Sequence, residues 1–234
     1  MKNAHRLRLL LLAALPLSAC QSDGYMSSVA LTGAETRQDV VASITDAVDQ
    51  QRAAVDALQT AGRALASIQS AGEADAVAQY SEYLDQIDGG AREVERFGSR
   101  LVEVEASGER LFAGWELELE QFSSDAIREQ SSRRLAASRS GFALLREEMA
   151  GVHAQMEAML STHRDHALFL NHNLAASSRE LLGAENRRFA AAMATLTADS
   201  GVVEADAATF TGRLAGSPGA PRATGDPGPE GQDG

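Results

Sequence analysis

Three histidines stand close together in the stretch STHRDHALFLNHNL, residues 161–174: His163, His166 and His172. Histidine binds metals and exchanges protons near neutral pH, so the stretch could carry chemistry. If it is helical, each residue turns about 100° around the helix axis. His163 and His166 then lie about 60° apart, whereas His172 points to the opposite side. The three therefore cannot form one site on a single helix face.

The remaining pair, His163 and His166, would need carboxylates from another helix to hold a metal ion. The sequence lacks both the Glu-x-x-His pairs of di-iron bundles and the His-Glu-x-x-His motif of zinc enzymes. We therefore predict no metal and no bound cofactor, and we interpret both histidines as core-facing residues with local hydrogen bonds. The alternative is a ligand- or metal-binding helical bundle that uses the region His163–His172.

Few other residues could act as catalysts. Lys2 is the only lysine and Cys20 is the only cysteine, and no Ser-His-Asp or Cys-His set can be argued from the chain. The carboxylates of Glu116, Glu118 and Glu120 alternate along one stretch, which is typical of a solvated helix surface. We predict that the protein is not an enzyme.

The start of the chain predicts export and lipidation. Residues 1–19 combine a basic beginning with a short apolar run, Leu9–Leu15, which is too short to span a bilayer and typical of a signal peptide. The sequence Leu-Ser-Ala-Cys at 17–20 resembles a bacterial lipobox. Cleavage before Cys20 would make this cysteine the lipidated first residue. Gln21 follows it in place of Asp, which by resemblance to sorting rules favours the periplasmic face of the outer membrane in a Gram-negative envelope.

The charge of the chain limits its partners. The net charge is −12, and the leader contributes three positive charges and no acidic residue, which leaves −15 for residues 20–234. Such acidity argues against binding to nucleic acid. We expect three kinds of contact: the membrane through the lipid anchor, an envelope protein partner, and a second copy of the chain.

Proline placement predicts the fold class. No proline lies between Ser18 and Ser217, and alanine is abundant. Because proline costs roughly 3 kcal/mol inside a helix, this stretch favours long helices. We predict an all-α fold: an elongated antiparallel bundle, or coiled-coil-like rod, of three to four long helices. Its expected parts are a linker at 20–36, a bundle at 37–214 and a disordered Gly/Pro-rich tail at 215–234.

Apolar residues spaced by three and four define the predicted helices. The first run starts near Gln38 and ends at a turn around Gly72. The second follows Val77, Tyr80, Leu84 and Ile87, with a phase slip near Gly89-Gly90. The third begins at an N-cap within residues 123–125 and includes Ile127. A fourth includes Leu170, Leu174, Leu181 and Phe189, and it either meets the third near Ser161 or continues it as one helix.

Three motifs carry a family resemblance. They are Tyr25-Met26-Ser27, Leu111-Phe112-x-x-Trp115-Glu116-x-Glu118-Leu119, and Asp165-x-x-Leu168-Phe169-Leu170-x-His172-Asn173-Leu174. With the helical spacing between them, they resemble a family of gammaproteobacterial lipoproteins, domain of unknown function 2959 (DUF2959), over roughly Tyr25 to Phe210. The resemblance implies an envelope lipoprotein with a helical fold.

The resemblance also directs attention to Trp115, His172 and Asn173. We expect Trp115 to anchor the helix seam. We expect His172 and Asn173 to be buried polar groups bonded to a facing helix, with a recognition role as the alternative. The sequence thus predicts a non-catalytic lipoprotein of the cell envelope, a helical structural or adaptor module that presents its side faces to periplasmic protein partners.

Overall fold

Long helices make up almost all of the described chain. The computed structural model describes residues 23–72, 74–175 and 183–216. Its helices are α1 (Asp23–Ser70), α2 (Ala76–Leu119), α3 (Asp125–Asn171) and α4 (Gly183–Leu214). At 1.5 Å per residue, each of the first three is about 65–70 Å long. The predicted signal peptide, the lipobox with Cys20, Leu181 and the tail beyond Gly216 lie outside the described residues.

Neighbouring helices run antiparallel and close into a ring. α1 packs on α2, α2 on α3, α3 on α4, and α4 back on α1, while α1 and α3 lie diagonally. A side-chain hydrogen bond ties each neighbouring pair: Gln50–Glu93, Tyr83–His163, Gln155–Asp199 and Arg52–Glu204. These contacts describe an elongated antiparallel four-helix bundle, which confirms the predicted fold class.

The core face of α2 follows a heptad repeat that the sequence reading missed. Its buried positions step by seven along Ala76, Tyr83, Gly90, Phe97, Val104 and Leu111. Val77 and Leu84, which we expected in the seam, are exposed instead. The expectation followed the largest apolar residues, whereas alanine and glycine occupy core positions where the partner helix comes close. The predicted phase slip is therefore wrong, and α2 continues through Gly89-Gly90.

The helix ends follow local sequence signals. α1 ends at Ser70, just before the expected turn at Gly72. At the start of α3, Ser124 is the N-cap residue and its side chain accepts a hydrogen bond from the backbone N–H of Ile127. α1, however, begins at Asp23, inside the segment 20–36 that we expected to be a linker. The early part of α1 lacks a regular apolar stripe, so periodicity gave no signal there.

α3 resolves the question left open at Ser161. The helix passes through Ser161 without a break and ends at Asn171, and α4 is a separate helix that begins at Gly183. The alternative with a helix boundary near Ser161 is therefore wrong. The alternative in which one helix continues past Asn171 is also wrong. Thr162 lies inside the helix, and its hydroxyl donates to the carbonyl of Ala158.

Phe142 links three helices, and a glycine makes room for it. A Cβ atom added at Gly108 of α2 would lie only 2.2 Å from Cζ of Phe142 on α3. The Phe142 ring also meets Phe112 of α2 and Phe210 of α4, with centroid distances of 5.4 and 5.8 Å. Gly108 is therefore required by close packing.

Within the described residues, none of the helices combines the length and the apolar character needed to cross a membrane.

Candidate functional site

His163 lies fully buried in the core of the bundle. Its Nδ1 atom is 2.9 Å from the hydroxyl of Tyr83, and the same hydroxyl is 3.1 Å from the backbone carbonyl of His163. Both contacts are satisfied together when Nδ1–H donates to the hydroxyl and the hydroxyl donates to the carbonyl. Tyr83 is also fully buried, so α2 and α3 share a polar contact that is closed to water.

His166 lies one turn further along α3 and is also buried, with 6% of its surface exposed. Phe189 of α4 packs against both rings. Its centroid is 4.4 Å from that of His163 and 6.2 Å from that of His166, both in edge-to-face arrangements. The two histidines separate the main apolar cluster, which includes Leu160, from a smaller one, which includes Leu170. They form a polar layer in the core of the bundle.

Burial keeps both imidazoles neutral. It lowers the pKa of His163 from 6.5 to about 4, against the opposing effect of the Leu58 backbone carbonyl, and the neighbouring His166 lowers it further. Burial also lowers the pKa of His166, while the carboxylates of Glu185 and Asp165 oppose that effect. At neutral pH the layer therefore carries no charge, and protonating it costs free energy.

Some buried polar atoms in and near the layer lack a hydrogen-bond partner. Within the described residues, Nε2 of His163, Nδ1 of His166 and the side-chain oxygen of Asn186 are buried and have no hydrogen-bond partner. No group of three or more His, Cys, Asp or Glu side chains in the described parts of the chain could hold a metal ion. The arrangement can take up protons, at a cost in folding free energy.

His172 does not join this layer. It is exposed at the C-cap of α3, and within the described residues its side chain contacts the neighbouring Asn171 at 3.4 Å. The expectation that His172 is buried against a facing helix is therefore wrong. The angular position of His172, on the opposite side of the helix from His163, correctly predicted that it lies outside the layer. Asn173 is half-buried, and its side chain bonds the Phe169 carbonyl at 2.8 Å, which caps its own helix rather than a facing one.

Trp115 lies near the opposite end of the bundle. Its ring is half-buried against the main apolar cluster, and its indole N–H donates to the hydroxyl of Ser131 on α3 at 2.9 Å. A small cavity of about 40 Å³ between Trp115, Gly33 and Glu118 separates it from α1. Trp115 thus joins the seam of α2 and α3 and is far along the rod from His163.

Two buried polar contacts escaped the sequence reading. Tyr83 was not predicted because the expected apolar stripe ran through Tyr80 and Leu84, whereas the buried heptad through Gly90 includes Tyr83. Gln51 is fully buried and donates to the backbone carbonyl of Ser200 at 3.1 Å. No local signal marks Ser200 as the partner, because the contact joins α1 to α4.

Comparison with known proteins identifies a family. Residues 25–214 match the family described as "Protein of unknown function (DUF2959)". Searches of curated proteins and of solved structures gave no match. The match covers the four helices from near the start of α1 to the end of α4, including the polar layer and Trp115. The chain belongs to the DUF2959 family.

Proposed function

We propose that the protein is a non-catalytic lipoprotein of the cell envelope, a helical rod that acts as a structural or adaptor module for periplasmic protein partners. The observation that carries the proposal is the position of α1. The helix begins at Asp23, three residues after the lipobox cysteine Cys20, so an anchored Cys20 would join the rod with little intervening chain. The anchor would then control where the whole rod stands.

The antiparallel order of the helices gives the rod two distinct ends. The start of α1, the turn between α2 and α3 and the end of α4 share one end. The turn after α1 and the end of α3 share the other, about 70 Å away along α1. The exposed imidazole of His172 therefore stands at the end opposite the start of α1. A recognition role for His172 and Asn173 would place the partner at that remote end.

The anchor is tested by replacing the cysteine. Metabolic labelling with a fatty-acid analogue is expected to mark the wild-type chain and to leave Cys20→Ser unlabelled. The variant is expected to accumulate as precursor or to lose its place in the outer-membrane fraction. Labelling of Cys20→Ser to the wild-type level would refute the anchor.

The adaptor role is tested with a photo-crosslinking amino acid that is introduced at chosen positions along the rod. At His172 it is expected to capture one defined envelope protein in intact cells. At Ala150, an exposed position halfway along α3, it serves as the matched control for the remote end. Failure of both positions, and of further exposed positions on the four helices, to give a reproducible product would count against an adaptor.

The unpartnered ring nitrogens of His163 and His166 favour one second candidate, a ligand- or metal-binding bundle. It is less well supported, because His172, the third histidine of the region, is exposed and does not join the two buried histidines. A metal role predicts stoichiometric metal in untagged protein and a melting temperature that falls on adding chelator. The His163→Gln/His166→Gln variant would lose that response. A wild type without metal and without chelator response would remove this candidate.

A further inference from the structure

The fourth helix stands outside a unit that the other three helices complete among themselves. α1 packs on α2, α2 packs on α3, and α1 and α3 also meet directly across the bundle, so each of these helices contacts the other two. α4 lies in the groove that α1 and α3 form on the other side. It is the shortest of the described helices, with 32 residues where the others have 44 to 48. Removal of α4 would therefore leave the pairing of α1, α2 and α3 in place.

Buried polar atoms without a partner gather where α4 meets the bundle. Within the described residues, six buried side-chain atoms lack a hydrogen-bond partner, and five of them belong to α4 or to residues that touch it. The five are Oδ1 of Asn186, Oγ of Ser200, Oε1 of Gln51, Nε2 of His163 and Nδ1 of His166. The amide of Gln51 bonds the Ser200 carbonyl, and both imidazole rings pack on Phe189. Burial of such atoms costs free energy, so docking of α4 is opposed at five places.

The buried polar groups of α2 are satisfied, in contrast. The hydroxyl of Ser107 is 2.7 Å from the hydroxyl of Ser43 on α1. Toward α3, the hydroxyl of Tyr83 contacts both Nδ1 and the backbone carbonyl of His163. In the described part of the chain, no side chain of α2 is among the buried atoms that lack a partner. The contacts of α2 therefore carry none of the cost that opposes docking of α4.

The contacts that hold α4 combine an apolar stripe with polar bonds near the surface. Its largest buried side chains recur every seven residues: Phe189, Leu196, Val203 and Phe210. The buried positions between them are Met193, Ser200 and Ala207, two of which are small. Side-chain bonds to α1 and α3 involve exposed or partly exposed groups: Gln59–Thr197, Gln155–Asp199 and Arg52–Glu204. Water replaces such bonds at small cost, so the apolar stripe supplies most of the attraction.

We propose that α4 is a detachable helix, which leaves and rejoins the groove between α1 and α3 as one unit while those helices stay paired with α2. In the open form water reaches the five unpartnered atoms. α1 then exposes apolar side chains that line cavities together with α4 in the closed form: Ile44, Val48 and Val55. The opened groove is about 48 Å long, the length of α4. Such local opening needs less free energy than global unfolding, and it does not depend on the proposed lipid anchor.

Hydrogen exchange of the purified full chain tests whether α4 opens by itself. Peptides from residues 189–210 are expected to exchange together, and their protection is expected to be at least about 100-fold lower than that of the α2 core, residues 83–111. Mass spectrometry of the peptides measures both. Equal protection in the four helices would mean that α4 leaves only when the whole bundle unfolds, and this result would overturn the proposal. Exchange confined to the last turn of α4 would also overturn it.

A single thiol on the core side of α4 tests the same opening independently. The full chain with Cys20→Ser and Ser200→Cys carries one thiol at a buried position in the middle of α4. The matched variant, Cys20→Ser/Ala61→Cys, carries it at a fully buried position on α1, in an apolar cluster whose described members come from α1, α2 and α3. A thiol reagent is expected to label position 200 at least about tenfold faster than position 61. Equal labelling rates would contradict a separate opening of α4.

Removal of one unpartnered atom tests the cause of the opening. Ser200→Ala deletes a buried hydroxyl that has no partner, and it is expected to slow the hydrogen exchange of α4 about tenfold. Thr195→Ala deletes an exposed hydroxyl on the same helix and raises its helix propensity in a similar way, so it is the control. Its effect is expected to stay below about threefold. If both changes slow the exchange equally, unpartnered burial does not set the opening of α4 and the proposal fails.

Discussion

Protonation of His163 is expected to destabilise the bundle between pH 7 and pH 5. The unfolded chain titrates this histidine at the ordinary pKa of 6.5, whereas the folded chain holds its pKa at about 4. In the interval between these values the unfolded state binds a proton that the folded state does not. Stability is therefore fully present above pH 6.5 and falls as the pH is lowered toward 4.

The size of the effect follows from the same two values. The complete shift corresponds to about 3 kcal/mol. Between pH 7 and pH 5 the expected loss from His163 alone is about 2 kcal/mol of the free energy of unfolding. His166, whose pKa burial also lowers, adds to the loss with the same sign.

Protonation of three carboxyl groups changes the folding stability in different directions and over different pH ranges. A hydrogen bond from Gln50 lowers the pKa of Glu93, and one from Arg139 lowers the pKa of Glu116, from the ordinary value of 4.5. The stability that these groups contribute is therefore lost mainly below pH 5, outside the range from pH 7 to pH 5 that is compared here. Burial raises the pKa of Glu148, whose protonation favours the folded state. All three remain in a His163 variant, so comparing that variant with the wild type isolates the histidine.

The assay is urea unfolding followed by circular dichroism at several pH values. His163→Gln removes the titrating ring and keeps a polar side chain near Tyr83. The variant is expected to lose about 2 kcal/mol less than the wild type between pH 7 and pH 5. His172→Gln, which changes an exposed histidine on the same helix, is expected to keep the wild-type dependence. If wild type and His163→Gln lose the same free energy over this range, the reasoning from burial is wrong.

Three further changes are checked by the same unfolding measurement at neutral pH. Gly108→Ala would press a methyl group into the Phe142 ring and is expected to cost about 1–3 kcal/mol; adding Phe142→Leu is expected to recover part of this, and no recovery would contradict the close contact. Tyr83→Phe removes the partner of His163 and is expected to cost about 1–3 kcal/mol, so a loss below about 0.5 kcal/mol would show that the hydroxyl contributes little. His172→Ala is expected to change stability by less than about 0.5 kcal/mol, and a loss above about 1 kcal/mol would contradict its exposed position.

The fold could be predicted because helix formation and helix ends depend on local chemistry. The proline-free stretch, the turn near Gly72 and the N-cap within residues 123–125 each act within a few residues, and the structure follows all three. The core face of α2 was harder because burial depends on the neighbour as well as on the residue. Gly90 and Gly108 occupy core positions where side chains of other helices fill the space.

The polar layer could be predicted only in part. The apolar stripe of α3 placed His163 and His166 toward the core, and the structure buries both. The partners Tyr83 and Phe189 depend on how α2 and α4 slide against α3, which no local pattern specifies. For His172, the angular position on the helix correctly predicted that it lies apart from His163. Its place in the family motif, in contrast, led to the wrong expectation that it is buried.

The shared end of α1 and α4 has a mechanical consequence. The start of α1 and the end of α4 lie at the same end as the turn between α2 and α3, and the end of α3 lies at the opposite end. If Cys20 carries the proposed lipid anchor, the rod would pivot at the start of α1. The end of α3 would then sweep through every height up to about 70 Å above the bilayer surface.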